Sequence, residues 1–257
     1  MATKYQAPSV KKAFHILKAL SGSVRGLGIT DLAKSLQMSK GTVHGIISAL
    51  EDSGAVMRDP LTKKYTLGIA LFELGNMAYS QIELKDLARP VMEGLGEKTD
   101  ESIYLGAKNG DHIIILDTVE SSQDLKITSP RGISIPLFAG ATGKVVLASM
   151  ERSAASELIR RKGGLPRFTE RSITDPERYL KEVESAGQRG YAVDNEEYIT
   201  GVRAVASPIT GWKSLISAIW VVGFKTSLND RKMETLIPAT REAAEEISRR
   251  IEQLAGN

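Results

Sequence analysis

One short stretch, Ser39 to His44, combines small polar and cationic side chains at the spacing of a helix start. Ser39 is an N-cap candidate, and Lys40, Thr42 and His44 follow in the first turns, with Gly41 between them. The apolar residues of this stretch recur at three- and four-residue intervals, so a helix would turn the polar set outward. Hydroxyl, ammonium and imidazole groups in this arrangement can hydrogen-bond to base edges and phosphates, and a glycine lets the backbone approach closely.

Two shorter helices before it complete the pattern of a helix-turn-helix. Periodic apolar residues predict a first helix over Val10–Leu20, which Gly22 ends. Thr30 is the N-cap candidate of a second helix, Asp31–Leu36, and a turn of about three residues separates it from the third, Lys40–Asp52. In a helix-turn-helix the last of these helices enters the major groove of DNA. The alternative is a helical bundle that binds another protein through a solvated charged face.

A candidate β-hairpin follows and would form a wing. Residues 55–58 and 64–67 have strand patterns around a loop of turn-forming residues. Arg58, Lys63 and Lys64 lie on or beside this wing, where contacts with phosphates or the minor groove are expected. The hairpin therefore favours the DNA-binding interpretation of the three helices.

The distribution of charge separates the chain into two parts. The formal net charge is +3 over 257 residues, but residues 1–80 hold 10 Lys and Arg against 5 Asp and Glu, whereas residues 81–257 hold 24 against 26. Net charges of +5 and −2 indicate a nucleic-acid-binding module joined to a different domain. We expect a first domain over residues 1–68, a linker helix over 69–80 and a second domain over 81–257.

The second part shows helix and strand patterns typical of an α+β domain around an antiparallel sheet. The predicted strands are Ser102–Ala107, His112–Val119, Leu125–Thr128, Tyr191–Asp194, Val202–Ile209 and Leu215–Val222. The predicted helices are Leu84–Lys98, Ala141–Met150, Ala154–Arg161, Pro176–Arg189 and a last helix of about 25 residues from near Asn229.

The composition argues against several classes of enzyme and metalloprotein. The chain has no cysteine, which excludes disulfides, thiolate metal sites and cysteine nucleophiles. The three histidines, His15, His44 and His112, are too scattered to suggest a metal site. The segment 138–145 lacks the first glycine and the Ser or Thr of a phosphate loop. We therefore expect neither a metal nor another cofactor.

Two carboxylates leave one enzymatic alternative open. Asp194 and Glu196 lie two residues apart on a segment predicted to be extended, so their side chains could share a face and act as an acid and a base. Charged clusters at turns are more often solvated or structural, and we expect no catalytic residue. The chain also lacks an apolar run long enough to cross a bilayer and an N-terminal signal peptide, so we expect a cytoplasmic protein with no membrane partner.

Several motifs in the same order resemble those of IclR-type transcriptional regulators. In the first part they are Ser9–Leu17, Thr30–Ala33, Ser39–His44 and Tyr65–Gly68; in the second they are Ala88–Pro90, Pro136–Leu137, Gly143–Lys144, Arg189–Glu197 and Gly201–Arg203. The resemblance implies a winged helix-turn-helix followed by a GAF-like effector-binding and oligomerisation domain over residues 81–257, in a homodimer or tetramer on operator DNA. Lys12 joins the residues named above as a DNA contact. Gly45 stands where the family often has an arginine, so one phosphate or base contact is missing.

The resemblance also implies where a small-molecule effector binds. The family's site corresponds here to Gly140, Ala141, Thr142, Asp194, Ala204, Trp220 and Val222. Methyl groups and an indole replace polar side chains that several family members carry, which favours an aromatic or largely apolar effector over an acid of two or three carbons. If the effector is an acid, the amides of Ala141 and Thr142 would hold its carboxylate. Alternatively, Trp220 lies on the opposite strand face as a core residue.

These observations predict a ligand-responsive transcriptional regulator whose effector alters operator binding. We expect a repressor rather than an activator. The alternative is an architectural DNA-binding protein without an effector. A metabolite that changes DNA affinity separates the two.

Overall fold

The computed structural model describes residues 7–80, 84–161, 164–211 and 215–255. The chain divides into two compact units, Met1–Ile82 and Glu83–Asn257. The residues at the outer edges of the expected domains, 1–6, 81–83 and 256–257, lie outside the described part. Each unit is described by itself below.

The first unit contains three helices, a two-stranded hairpin and a fourth helix. They are α1 (Pro8–Ser21), α2 (Ile29–Ser35), α3 (Lys40–Asp52), β1 (Val56–Arg58), β2 (Tyr65–Leu67) and α4 (Ile69–Ser80). The periodic apolar residues of the helices meet the hairpin in one small core of Ile16, Leu20, Leu32, Ala33, Val43, Ile47, Val56 and Tyr65. This core fixes α3 by its inner face and leaves the outer face free.

Local hydrogen bonds explain where α2 and α3 begin. The Ser39 hydroxyl accepts a hydrogen bond from the Thr42 amide at 3.1 Å, which confirms the predicted N-cap of α3. The prediction that Thr30 caps α2 is wrong, because α2 begins at Ile29 and Thr30 is its second residue. The Gly28 amide instead donates to the Asp31 carboxylate at 3.2 Å, so the helix start needs no hydroxyl side chain.

The hairpin predicted as a wing is present. Strands β1 and β2 pair antiparallel, with Arg58 opposite Tyr65. The Asp59 amide donates to the Lys64 carbonyl at 2.8 Å, which closes the loop between the strands. Leu27, between α1 and α2, forms an isolated bridge with Tyr65 and ties the hairpin to the helices.

The second unit is a six-stranded antiparallel sheet with helices packed against it. Its strands are β3 (Ser102–Asn109), β4 (His112–Val119), β5 (Ser134–Pro136), β6 (Ala192–Asn195), β7 (Val202–Ile209) and β8 (Ser217–Phe224), in the spatial order β5-β4-β3-β8-β7-β6. Its helices are α5 (Leu84–Thr99), α6 (Gly140–Ala148), α7 (Arg152–Arg161), α8 (Pro176–Arg189) and α9 (Asp230–Ala255). The two edge strands are thus β5 and β6.

Strand alternation assigns the two faces of this sheet. Tyr104, Ala204 and Trp220 belong to the core that α6, α7 and α8 share with the sheet. The alternate residues, such as Val205 and Val221, lie on the other face, against which α5 and α9 pack. A cavity between α6 and the sheet is therefore bounded by every second residue of β7 and β8.

The prediction of a strand at Leu125–Thr128 is wrong. The third strand of this part of the chain is β5, Ser134–Pro136, which pairs with β4 through His112, Ile113 and Ile114. Three residues are too few for a recognisable alternation, and pairing with β4 alone determines this strand. Pro90 lies inside α5 without ending it. Within the described residues, no helix combines the length and apolar character needed to cross a bilayer.

Candidate functional site

The outer face of α3 carries the residues predicted to contact DNA. Ser39, Lys40, Gly41 and His44 are exposed and Thr42 is half-buried, whereas the apolar residues of α3 face the core. Because Ser39 caps the helix and its hydroxyl lies 2.9 Å from that of Thr42, both side chains are held at the helix N-terminus. Amides at this end carry partial positive charge and suit a phosphate.

Two glycines leave the outer face of α3 with few large side chains. A Cβ added at Gly41 or Gly45 would meet no other atom within 4 Å. Ser48 and Ala49, further along α3, are also exposed and small. The backbone of α3 can therefore approach another surface closely, and few side chains of this helix reach outward.

The remaining predicted DNA contacts lie on the other elements of the first unit. Arg58 and Lys63 of the wing are exposed, and Lys64 is half-buried. The Arg58 guanidinium lies 5.8 Å from the centre of the Tyr65 ring, an arrangement that restricts its motion. Thr30 is exposed on α2 and Lys12 is half-buried on α1. Their contacts with DNA stay predictions.

A cavity of about 150 Å³ lies between the N-terminus of α6 and the sheet of the second unit. Six of the seven residues expected at the effector site line it, namely Ala141, Thr142, Asp194, Ala204, Trp220 and Val222. The seventh, Gly140, is the first residue of α6 and lies behind the Asp194 carboxylate. The structure thus brings together residues that are up to 82 positions apart in the sequence.

Two aromatic rings form one wall of the cavity. Trp220 stacks on Tyr104 with ring centres 5.6 Å apart and planes at 14°. The Tyr104 hydroxyl donates to the Ile127 carbonyl at 2.8 Å, which fixes the ring. Trp220 therefore lies on the cavity face of β8 and not on the opposite face, the alternative that the sequence left open.

Asp194 is the one charged residue among the described residues that line the cavity; none of them is Lys, Arg or His. It is 5% exposed, and its Oδ1 accepts a hydrogen bond from the Glu197 amide at 2.6 Å. Burial raises the pKa of the Asp194 carboxyl to about 6, although the Glu197 amide and the Lys144 ammonium act in the opposite direction. With a pKa of about 6, this carboxyl changes its protonation state close to neutral pH.

A buried lysine supports the segment that carries Asp194. Lys144, on α6, is 2% exposed; its ammonium contacts Glu197 Oε1 at 2.6 Å and donates to the Val193 carbonyl at 3.1 Å. It thereby joins α6 to the edge strand β6. The Gly-Lys pair marked this lysine in the sequence, but no local pattern reveals its partners 49 and 53 residues away.

The helix start beside Asp194 offers backbone donors to a ligand. The hydrogen bonds within α6 begin with the Gly143 amide, which donates to the Ala139 carbonyl at 3.1 Å. The three preceding amides, at residues 140–142, lie outside this ladder, and Ala141 and Thr142 line the cavity. An anionic or hydrogen-bond-accepting group fits at this point.

Other lining residues were not anticipated. They include Tyr104, Ile115, Ile127, Ile133, Tyr198 and Ile199. Strand alternation could have found Tyr104 and Ile115, because they share a sheet face with Trp220. The remaining four belong to loops without periodicity, so no pattern in the sequence predicts them.

The structure separates Asp194 from Glu196, the two carboxylates that could have acted as an acid and a base. Glu196 has φ +66°, which ends the extended segment directly after β6, and it does not line the cavity. Its carboxylate contacts Lys225 and lies 3.2 Å from Arg171, and the hydrogen bond from Lys225 lowers its pKa. Asp194 and Glu196 therefore do not form an acid–base pair. Among the described residues, no group of three His, Asp or Glu side chains could hold a metal ion.

Models of two protein families match the chain. Residues 9–60 match the IclR helix-turn-helix domain, and residues 76–249 match the bacterial transcriptional regulator IclR C-terminal domain. The chain is 33% identical over 243 residues to the HTH-type transcriptional regulator KdgR of Escherichia coli (strain K12), an alignment that covers 93% of this chain and 91% of that protein.

Solved structures agree with these matches. An IclR transcriptional regulator from Alicyclobacillus acidocaldarius superposes with a TM-score of 0.81 at 26% identity and covers 96% of this chain and 100% of that one. An IclR homologue from Microbacterium hydrocarbonoxydans, solved with 4-hydroxybenzoate, has the same fold at a TM-score of 0.72 and 22% identity, covering 95% and 99% of the two chains. The chain belongs to the IclR family of bacterial transcriptional regulators and is a DNA-binding regulator, not an enzyme.

Proposed function

We propose that this regulator is a repressor that responds to a single-ring aromatic acid. The effector would bind in the cavity at Gly140, Ala141, Thr142, Asp194, Ala204, Trp220 and Val222 and change the affinity of the first unit for operator DNA. The observation that carries the proposal is a cavity that combines the stacked rings of Trp220 and Tyr104, the buried Asp194 of β6 and the first turn of α6.

The size of the cavity supports one aromatic ring. A dry cavity of about 150 Å³ in an engineered protein binds benzene, and the cavity here is about 150 Å³. Contact with the Trp220 indole adds about 0.5–1.5 kcal/mol beyond the burial of apolar area. An acid of two or three carbons gains little from this wall. The homologue from Microbacterium hydrocarbonoxydans was solved with a ligand of the proposed class.

The charge of the site determines how an acid would bind. Without a cationic side chain among the described lining residues, the carboxylate of the effector would accept hydrogen bonds from the Ala141 and Thr142 amides. Asp194 lies against Gly140 and lines the same cavity as Ala141 and Thr142. Two neighbouring carboxyl groups share one proton because both cannot ionise. Asp194 would therefore be protonated in the complex and donate to the effector.

Isothermal titration calorimetry with benzoate, 4-hydroxybenzoate and pyruvate tests this effector class. We expect the aromatic acids to bind and pyruvate to bind at least about tenfold more weakly, which corresponds to 1.4 kcal/mol. Tight binding of pyruvate with no binding of either aromatic acid would contradict the proposal. Trp220→Leu should weaken the aromatic acids alone, because pyruvate is too small to use the indole.

Apolar side chains on α1 and α4 support a homodimer. Val10 and Phe14 on α1, and Ile69, Phe72 and Met77 on α4, are all more than half exposed. Such exposed apolar residues, grouped on two helices of one unit, fit a second copy of the same unit. A dimer of winged helices reads two half-sites, so an effector that changes their spacing alters operator affinity. Two dimers on one operator would give a tetramer.

Repression needs only that the bound dimer covers the operator, whereas activation needs a further contact with the transcription machinery. A reporter gene behind an operator selected by this protein distinguishes them, because a repressor lowers expression until the effector is added. An architectural protein would bind DNA with an affinity that no metabolite changes. Since operator DNA is the proposed partner, we also propose that the protein acts in the cytoplasm.

A further inference from the structure

The tip of the wing presents an isolated apolar side chain to solvent. Leu61, in the loop between β1 and β2, is 90% exposed. A leucine fully buried against another surface gains about 1.5–3 kcal/mol relative to water. At this position it has no part in the core of the first unit.

Hydrogen bonds hold the backbone of this loop in one conformation. Asp59 Oδ1 accepts from the amides of Leu61 and Thr62 at 2.8 and 2.7 Å. The Lys63 amide donates to the Asp59 carbonyl at 2.9 Å, and Lys63 itself adopts φ +60°. The loop is therefore organised before it meets a partner, and binding through Leu61 would lose little backbone entropy.

The charges around Leu61 indicate what it contacts. Lys63 and Lys64 follow it in the loop, and Arg58 stands where β1 ends. The one acidic residue of the loop, Asp59, is occupied by backbone amides, which lower its pKa. An apolar tip with cationic neighbours is complementary to the minor groove of DNA, whose phosphates flank a narrow strip of sugar and base edges.

We propose that Leu61 enters the minor groove beside each half-site and is a specificity-determining contact. This inference rests on the DNA-binding function of the family and names a contact within it. The 2-amino group of guanine projects into the minor groove, whereas an A·T pair has no such group. Leu61 would therefore favour A·T pairs where the wing lies, and its contribution would be independent of salt.

The test uses the full-length protein and an operator that the wild-type protein selects from a random DNA pool. Affinity is measured by fluorescence anisotropy over a range of salt concentrations for Leu61→Ser, Leu61→Met and Lys64→Ala. The matched control is Val24→Ser, because Val24 is an equally exposed aliphatic residue of the same unit, outside the wing. We expect Leu61→Ser to bind about tenfold more weakly with an unchanged salt slope. Leu61→Met and Val24→Ser should bind like the wild type, and Lys64→Ala should have a shallower slope.

Base analogues locate the contact. Replacing A·T by I·C under the wing keeps the minor groove free of the 2-amino group and should preserve affinity, whereas G·C should lower it for the wild type and not for Leu61→Ser. Equal affinity of Leu61→Ser and the wild type, or equal loss with I·C and G·C, would overturn the inference while leaving DNA binding intact. If the wild type selects no sequence at all, the proposed operator binding itself fails.

Discussion

The Asp194 carboxylate packs directly against the Cα of Gly140, so that a methyl group added at Gly140 would overlap Asp194 Oδ2. Gly140 also has φ +48°, in the left-handed region that side chains disfavour. The backbone at the start of α6 and the one charged group known to line the cavity therefore depend on each other. This contact explains why glycine begins the helix at this position.

Gly140→Ala should abolish or strongly weaken effector binding, because the new methyl group displaces the Asp194 carboxylate. We expect at least a tenfold loss in affinity by calorimetry, together with a lower thermal midpoint from backbone strain of about 1–3 kcal/mol. Gly110→Ala is the matched control, since Gly110 has φ +64° but open space around its Cα. Full effector affinity in Gly140→Ala would show that Asp194 is not positioned by this contact.

Effector binding should depend on pH through Asp194, whose pKa is raised to about 6 by burial. Below about pH 6 the carboxyl already holds the proton that it needs to donate to a ligand carboxylate. Above about pH 6 it must take up this proton on binding, so the apparent Kd for an aromatic acid should rise about tenfold per pH unit.

Calorimetry in buffers of different ionisation enthalpy measures the number of protons that are taken up when the effector binds. Asp194→Asn, which keeps the shape, should bind independently of pH; a pH-dependent Asn variant would assign the proton to another group.

Lys40→Ala should weaken DNA binding for all sequences alike, because the Lys40 ammonium is exposed at the start of α3 and suits a phosphate. The dependence of log K on log salt should become shallower by about one unit. Lys18→Ala, an exposed lysine of α1 outside the predicted contacts, should change neither quantity. An unchanged slope for Lys40→Ala would remove Lys40 from the interface.

Phe72→Glu should convert the proposed homodimer to a monomer, since the Phe72 side chain is 64% exposed on α4 and a carboxylate there could not be buried between two copies. Sedimentation velocity over a range of concentrations measures the outcome. The control Leu125→Glu introduces the same carboxylate at a similarly exposed apolar residue of the second unit, and it should leave the sedimentation coefficient unchanged. A wild-type protein that is monomeric throughout would refute the dimer itself.

Local patterns in the sequence were sufficient for most elements. Ser39 before a periodic apolar run located α3, and Pro176 and Arg189 bounded α8 as predicted. Elements that depend on partners distant in the sequence, or on a backbone donor, could not be predicted from local patterns. Strand β5 depends on its pairing with β4. Helix α2 begins with a hydrogen bond from the Gly28 amide to the Asp31 carboxylate, whereas the sequence pattern favoured the Thr30 hydroxyl as the cap.

The candidate effector site likewise contains residues that could be predicted from the sequence and residues that could not. Its strand and helix residues followed from the family resemblance, and the side of the sheet that Trp220 occupies became known from its stacking on Tyr104. The loop residues Ile127, Ile133 and Ile199 could not be predicted, because no periodicity constrains an irregular segment. The same holds for Lys144, whose burial depends on a carboxylate 53 residues away.

The bare outer face of α3 has a consequence for how many sites this regulator occupies in a genome. With glycine at positions 41 and 45, the helix offers few side chains that distinguish one base from another, so each base pair contributes little discrimination. Sequence preference then comes from the proposed minor-groove contact of Leu61, from groove shape and from DNA flexibility. We expect a loose consensus, with many weak sites competing for a limited amount of protein, so that the cellular protein concentration selects which promoters are controlled.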